Sequence, residues 1–220
     1  MKKLILLSTI VLLIFVITSC KKKSTTDNTT NNELNENKTF DNLLPYEVEN
    51  KITSETVSNK ILAQISKDVL NWTNKEVIVN AVTQANIENA KRTQEQIDQL
   101  DKQWRAVKDT DGFIDKYLKN ETADFLRDVQ TQSKGLYAEI FVMDFQGCNV
   151  AMSNKTSDFW QGDEAKFKIS YNDAKGKIFI DAIEFDESTK ENLVQVSLPI
   201  SNEAKEVIGA ITIGMSIDKL

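Results

Sequence analysis

The spacing of apolar residues changes character part-way along the chain. Between Tyr46 and Leu70 they fall at Val48, Ile52, Val57, Ile61, Ile65 and Val69, the stripe of a long amphipathic helix of about six turns. Thr73 with Glu76, and Thr93 with Gln96, each match a capping box, so further helices are predicted to begin near Asn74 and Gln94. The second of these carries Ile97, Leu100 and Trp104 on one face. Another helix is predicted from about Thr122 to Ser133, with Gly135 placed to end it.

Beyond Gly135 the period shortens. Leu136 to Met143 is β-rich, Asp144-Phe145-Gln146-Gly147 reads as a turn, and Cys148 to Met152 returns as a second strand. Lys177 to Glu184, Leu193 to Ile200 and Val207 to Ser216 supply three more strands, with turns at Asp173 to Gly176 and Ser201 to Glu206. Helices first and an antiparallel sheet afterwards specify an α+β domain. No internal repeat is found.

The first residues follow a different rule. Lys2 and Lys3 precede an apolar run from Leu4 to Ile17, broken only by Ser8 and Thr9, and small residues lead into Cys20. This is the layout of a secretory signal over residues 1–19. A helix over the run would be about 21 Å long, short of the hydrocarbon core of about 30 Å. Ile17-Thr18-Ser19-Cys20 resembles a lipobox, in which the thiol takes a diacylglyceryl group; only a thiol is nucleophilic enough for that transfer. The other reading is an uncleaved anchor with an incidental cysteine, and both tether the chain to a membrane. Lys21 follows the cysteine, and by resemblance to enterobacterial sorting the absence of Asp there favours the outer membrane in a diderm cell. The chain is expected in the cell envelope, facing the periplasm or the exterior.

Residues 20–39 form the expected tether. From Lys21 to about Lys38 the chain is nearly free of hydrophobes, and such a segment buries too little apolar area to offset its ordering entropy. Its typical reach is about 25 Å. Residues 40–220 are enough for one domain with a real core. The net charge is −6, and losing Lys2 and Lys3 with the signal makes it −8, a poor match to nucleic acid. Once Cys20 is lipidated only Cys148 remains as a thiol, so no intrachain disulfide is expected. Flanked by a turn and a strand, Cys148 reads as a buried side chain rather than a reactive one.

The order of elements and several runs of residues together resemble the extracytoplasmic Cache sensor family, also called PDC, the PAS-like ligand-binding modules of bacterial receptors. The resemblance begins at Ile97-Asp98-Gln99-Leu100-Asp101-Lys102-Gln103-Trp104 and is densest at Gly135-Leu136-Tyr137-Ala138-Glu139-Ile140-Phe141-Val142-Met143-Asp144 and Thr156-Ser157-Asp158-Phe159-Trp160-Gln161-Gly162-Asp163-Glu164. It closes on Val207-Ile208-Gly209-Ala210-Ile211-Thr212-Ile213-Gly214-Met215. It implies a long N-terminal helix and further helices packed on a central five-stranded antiparallel sheet, with a small molecule held between the sheet and the loops covering it. Tyr137, Glu139, Phe141 and Tyr171 join Asp158, Phe159, Trp160, Asp163, Phe185 and Asp186 as the ligand-binding residues implied. Amino-acid-binding relatives place an Arg and a Trp in the first loop, and an aromatic and an Asp in a later one. Trp160 matches the Trp, and Phe185 with Asp186 the later pair.

Read without the resemblance, Phe159 and Trp160 beside Asp158, Asp163 and Glu164 suit a ligand site, which needs an apolar wall with a few convergent polar groups. They equally suit a core plug followed by acids capping a helix near Gly162. No Arg lies between Ser153 and Leu220, so a carboxylate ligand would lack its bidentate partner unless Lys155, Lys166 or Lys168 substituted. With Asp158, Asp163 and Asp186 turned to one cavity, a cationic ligand becomes the better electrostatic match, and Trp160 adds a cation–π contact of about 0.5 to 2 kcal/mol.

The chain has no histidine, which removes the commonest general base and metal ligand, and its seven glycines form no phosphate-cradling loop. No enzyme, cofactor or metal site is expected. Two readings remain: a small-molecule-binding sensory lipoprotein, or a structural or protein-interaction lipoprotein that keeps the sensor fold without a ligand. Family receptors continue past the last strand into a second membrane helix and a signalling domain, whereas this sequence ends at Leu220. The expectation is therefore a domain that signals through a separate envelope receptor or kinase, with the long helix as contact surface.

Overall fold

The computed structural model describes residues 44–107, 112–187 and 190–220, within the compact unit Asn35–Leu220. The signal, Cys20 and the tether lie outside the described residues. Where a helix from Tyr46 is expected, the chain first forms a short strand, β1 (Val48–Asn50), and only then the helix α1 (Glu55–Gln64). Val48 and Ile52 are four residues apart, a spacing that suits a helix face, but an edge position claims them. Ile178 N–H donates to the Glu47 carbonyl (2.8 Å) and Lys51 N–H to the Ile180 carbonyl (2.9 Å). The Asn50 side chain then accepts from Ile52 N–H (2.8 Å) and donates to Ser58 Oγ (2.6 Å), turning the chain into α1.

After α1 the helix widens into a π-helical turn (Ile65–Val69) before the short α2 (Leu70–Trp72). The reason lies in the sequence spacing. Ile61, Ile65, Val69 and Thr73 are all fully buried at four-residue intervals, and in a 3.6-residue helix each such step drifts by about 40°. The wider turn absorbs the drift.

The next helices are α3 (Glu76–Asn89), α4 (Gln94–Ala106), α5 (Gly112–Leu118) and α6 (Glu121–Gln132). The Thr93–Gln96 capping box at α4 is formed, with both reciprocal bonds at 3.3 and 3.0 Å. The one expected at Thr73–Glu76 is not: Lys75 is the N-cap residue, Thr73 is buried, and the Asn74 side chain instead accepts from Ser201 N–H (3.0 Å). At α6, Asn120 caps the Ala123 N–H (2.8 Å). Helix α5 has no counterpart in the periodicity, being only seven residues long.

The sheet comprises β1, β2 (Tyr137–Met143), β3 (Asn149–Met152), β4 (Ile178–Asp186), β5 (Glu191–Ser201) and β6 (Val207–Ser216). Its order is β1-β4-β5-β6-β2-β3, with β1 parallel to β4 and every other pair antiparallel. It is thus a mixed six-stranded sheet, one edge strand more than the five antiparallel strands expected. A short helix, α7 (Ala165–Tyr171), lies between β3 and β4.

The two faces of the sheet carry different cores. Ile140 and Val142, Val194, Val196 and Leu198, and Ile211, Ile213 and Met215 point to the face covered by Ile61, Ile65, Val69, Ile78, Val82 and Leu126 of the helices. The alternate residues Phe141, Met143 and Ala210 join Ile97, Trp104, Ile114, Tyr117, Phe159 and Phe167 in a second cluster. Ile213 sits fully buried in the middle of the larger core, so Ile213→Ala is expected to lower unfolding stability by about 2 to 5 kcal/mol, read from urea denaturation.

Candidate functional site

The site implied by the sequence lies on the face away from the long helix, and one hairpin turn organises its upper half. Asp144 is fully buried; its Oδ1 accepts the N–H groups of Gln146 (2.9 Å) and Cys148 (3.0 Å), and its Oδ2 accepts from Asn89 Nδ2 (2.9 Å). Burial raises its carboxyl above the usual range despite these bonds. Gly147 takes φ +80° to close the turn, and a Cβ there would lie 2.5 Å from Gly162 Cα. The turn and the later loop are therefore packed backbone to backbone, joined by Gln161 N–H to the Gly147 carbonyl (2.8 Å) and Trp160 Nε1 to the Gln146 carbonyl (2.8 Å).

A second clamp comes from α4. Buried Asp101 accepts the N–H groups of Phe159 (2.9 Å) and Trp160 (3.2 Å), and Arg105 pairs with both Asp101 and Asp158 (3.1 Å to the latter). The sequence shows no arginine in this loop or after it; Arg105 reaches it from a helix some fifty residues earlier. The three lysines considered as substitutes are engaged elsewhere: Lys155 with the Val107 carbonyl (2.8 Å), Lys166 with Glu164 (2.9 Å), Lys168 with the Asp163 carbonyl (2.5 Å).

The clamped loop delivers Phe159 into the second core. Phe159 is fully buried, with ring centroids 5.8 Å from Trp104 and 5.2 Å from Tyr117. Trp104 Nε1 donates to the Thr156 carbonyl (2.8 Å). Of the two readings of this aromatic pair, the core plug holds for Phe159, while Trp160 is half-buried beside the turn. The helix expected near Gly162 begins at Ala165, and its N-cap residue Glu164 makes no side-chain cap. Phe141 lies in the same cluster, with Lys166 Nζ 5.5 Å from its ring centre, and Tyr171 stacks on Phe167 at 5.2 Å. Cys148 is buried among them, and burial, with Asp144 nearby, pushes its thiol up to about 12.

Glu139, Phe185 and Asp186 come together lower on the same face. With Asp181, Glu184, Leu193 and Gln195 they line a depression of about 120 Å³. Glu139 accepts from Gln195 Nε2 (2.9 Å), and Asp181 pairs with Lys51 (2.8 Å). Gly214 makes room for the glutamate: a Cβ there would sit 2.7 Å from Glu139 Cγ. Phe185 is exposed at the rim. The floor continues into a buried Ser197–Thr212 hydroxyl pair at 2.9 Å.

Tyr137 lies on the opposite face. Its hydroxyl bonds to Asp68 and Gln64, its ring sits 6.0 Å from Trp72, and burial raises its pKa. Asp158, Asp163 and Asp186 do not share a cavity. Asp158 faces Arg105, Asp163 lies beside Lys168, and Asp186 alone reaches the depression. The acids that do converge there, Glu139, Asp181 and Glu184, come from β2 and β4, separated by two strands in the sheet and brought to one face only by the fold. Asp181 and Glu184 are three residues apart, a spacing that alternation would send to opposite faces, and the register shift between Ile180 and Ile183 brings them to one side.

No family model and no curated protein matches the chain. Among solved structures it is similar to the sensor domain of the Vibrio cholerae histidine kinase DctB (17% identity over 74% of this chain and 53% of that one, TM-score 0.43). It is also similar to the ligand-binding domain of the Pseudomonas aeruginosa amino acid chemoreceptor PctC in complex with GABA (14%, 69% and 61%, TM-score 0.32). A third is the sensory domain of the Campylobacter jejuni chemoreceptor Tlp3 with isoleucine bound (13%, 75% and 64%, TM-score 0.32). All three are sensing domains. The chain spans between 53% and 64% of their lengths.

Two outcomes test this geometry. Asp101→Ala frees the buried Phe159 N–H and the half-buried Trp160 N–H and is expected to cost about 1 to 3 kcal/mol in urea denaturation. Iodoacetamide at pH 8 should label Cys148 at least about tenfold more slowly in the native chain than in urea, read by mass spectrometry of the peptide that carries it.

Proposed function

We propose that this chain is an extracytoplasmic sensory lipoprotein of Cache type, tethered through Cys20, that binds a small cationic ligand and signals through a separate membrane partner. The observation that carries the ligand reading is the depression under β4 and β5, where Glu139, Asp181, Glu184 and Asp186 surround one small space beside the Phe185 ring. Four carboxylates around one space, of which Asp181 pairs with Lys51, favour a cation over an anion. A space of about 120 Å³ suits an ammonium head rather than a bulky ligand. Binding, not catalysis, fits a chain without histidine. A diacylglyceryl anchor enters one leaflet only, so it locates the domain without carrying its state across the membrane.

The second reading, a protein-interaction lipoprotein without a ligand, is favoured by a different observation. Phe141, Phe159, Phe167 and Trp104 fill the upper half of the same face with side chains.

Thermal denaturation with small amines, metal ions and carboxylates separates the two. An amine at a hundredfold excess over its Kd should stabilise by about 2.7 kcal/mol, a rise in Tm of about 5 to 10 °C. Glu139→Gln and Glu184→Gln should remove that rise. Response to carboxylates alone overturns the cationic ligand, and no response to any class favours the interaction reading. Cys20→Ala should move the protein out of the membrane fraction; unchanged fractionation overturns the lipid tether.

A further inference from the structure

A larger cavity lies elsewhere in the molecule and shares no residue with the acidic depression. It is a groove of about 700 Å³ between α3, the start of α6 and the edge strand β3. Ala81 and Ala85, one turn apart on α3, open it, and Tyr117 and Asn149 lie along its inner wall.

Two polar atoms beside this groove are buried and have no hydrogen-bond partner among the described residues: Asn149 Oδ1, an acceptor, and Arg92 Nη1, a donor. Asn149 is 2% exposed, and its orientation is fixed because its Nδ2 donates to Thr156 Oγ1 (2.8 Å) and the Asp158 carbonyl (2.9 Å). Arg92 lies with its guanidinium 6.0 Å from the Phe159 ring centre. An unmet buried donor or acceptor loses its hydration without a replacement, and folded proteins leave few of them. A pair of opposite kind, on two residues that line one cavity, suits a ligand that accepts and donates at once.

The charges around the groove narrow the choice. Arg92 and Lys116 are balanced by Glu76, Glu88 and Glu121, so neither a strong anion nor a strong cation finds a one-signed surface. The polar remainder is largely carboxamide, Asn80, Gln84 and Asn89 among it, and each carboxamide both donates and accepts. We propose that this groove binds a neutral polyhydroxylated ligand, a mono- or disaccharide, whose hydroxyls meet Arg92 Nη1 and Asn149 Oδ1 and whose ring lies against Tyr117 and the Ala81–Ala85 face. Hydroxyls supply both partners from one group, and the volume falls in the range of small-molecule sites.

The test uses the full-length lipidated chain in a detergent without a sugar headgroup. Calorimetry is run with glucose, galactose, N-acetylglucosamine, maltose and trehalose, and with glucuronate and glucosamine as charged counterparts. At least one neutral sugar should bind with a Kd of about 1 mM or tighter. Arg92→Met should weaken it at least about tenfold. Ala85→Leu, which fills the groove from a half-buried helix position, should abolish it while cooperative unfolding stays within a few degrees of the parent, so that lost binding is not lost folding. No binding by any neutral sugar at about 50 mM overturns the proposal. So does binding confined to the charged sugars, or binding that survives Ala85→Leu. Amine binding at the acidic depression is scored separately, so failure of one site leaves the other standing.

Discussion

Strand β6 is buried along its whole length except for half-buried Ile208, and it hydrogen-bonds to β5 on one side and β2 on the other. A strand enclosed in that way requires cover on both faces, because its alternate residues point in opposite directions. The long helix with α3 and α6 meets the demand on one face. On the other, the demand is met piecemeal by α4, α5, the Phe159 loop and α7. The unevenness of that second cover leaves the acidic depression where α7 and the loop do not reach. Geometry of the sheet thus fixes where a ligand has room and where it does not.

Much of this was legible in the residues, and the exceptions have physical causes. The expected bounds of strand β6 and the expected place of the Asp144–Gly147 turn match the structure, because both are local patterns: one of apolar density, one of turn chemistry. The Thr93 capping box forms and the like pattern at Thr73 does not, because Thr73 is buried and Asn74 binds Ser201 across the fold, constraints that override a cap worth about 1 kcal/mol. Strand β1 falls inside a helical pattern because three residues are too few for a strand period to show. Helix α5, at seven residues, spans about two turns and likewise shows no period.

The candidate site divides along the same line. That Phe159 and Trp160 mattered was visible; which of them fills the core was not, because the answer depends on Asp101 and Arg105, more than fifty residues away. Asp158 and Asp163 from one loop and Asp186 from a later one, expected to face one cavity, have separate neighbours, and the acids that meet lie on β2 and β4, which are not adjacent in the sheet. Sequence proximity is a poor guide to electrostatic convergence when long-range pairing sets the register.

The π-helical turn at Ile65–Val69 has a mechanical meaning. It acts as a key cut into a shaft: the four-residue spacing upstream and downstream meshes with the sheet only while the wide turn is kept. Relaxing it to an ordinary helical turn would rotate the Trp72 end by about 100° relative to Ile61, unseating Trp72 from Tyr137. The helix therefore has no smooth sliding coordinate along the sheet. It can only be seated or slipped by a whole tooth.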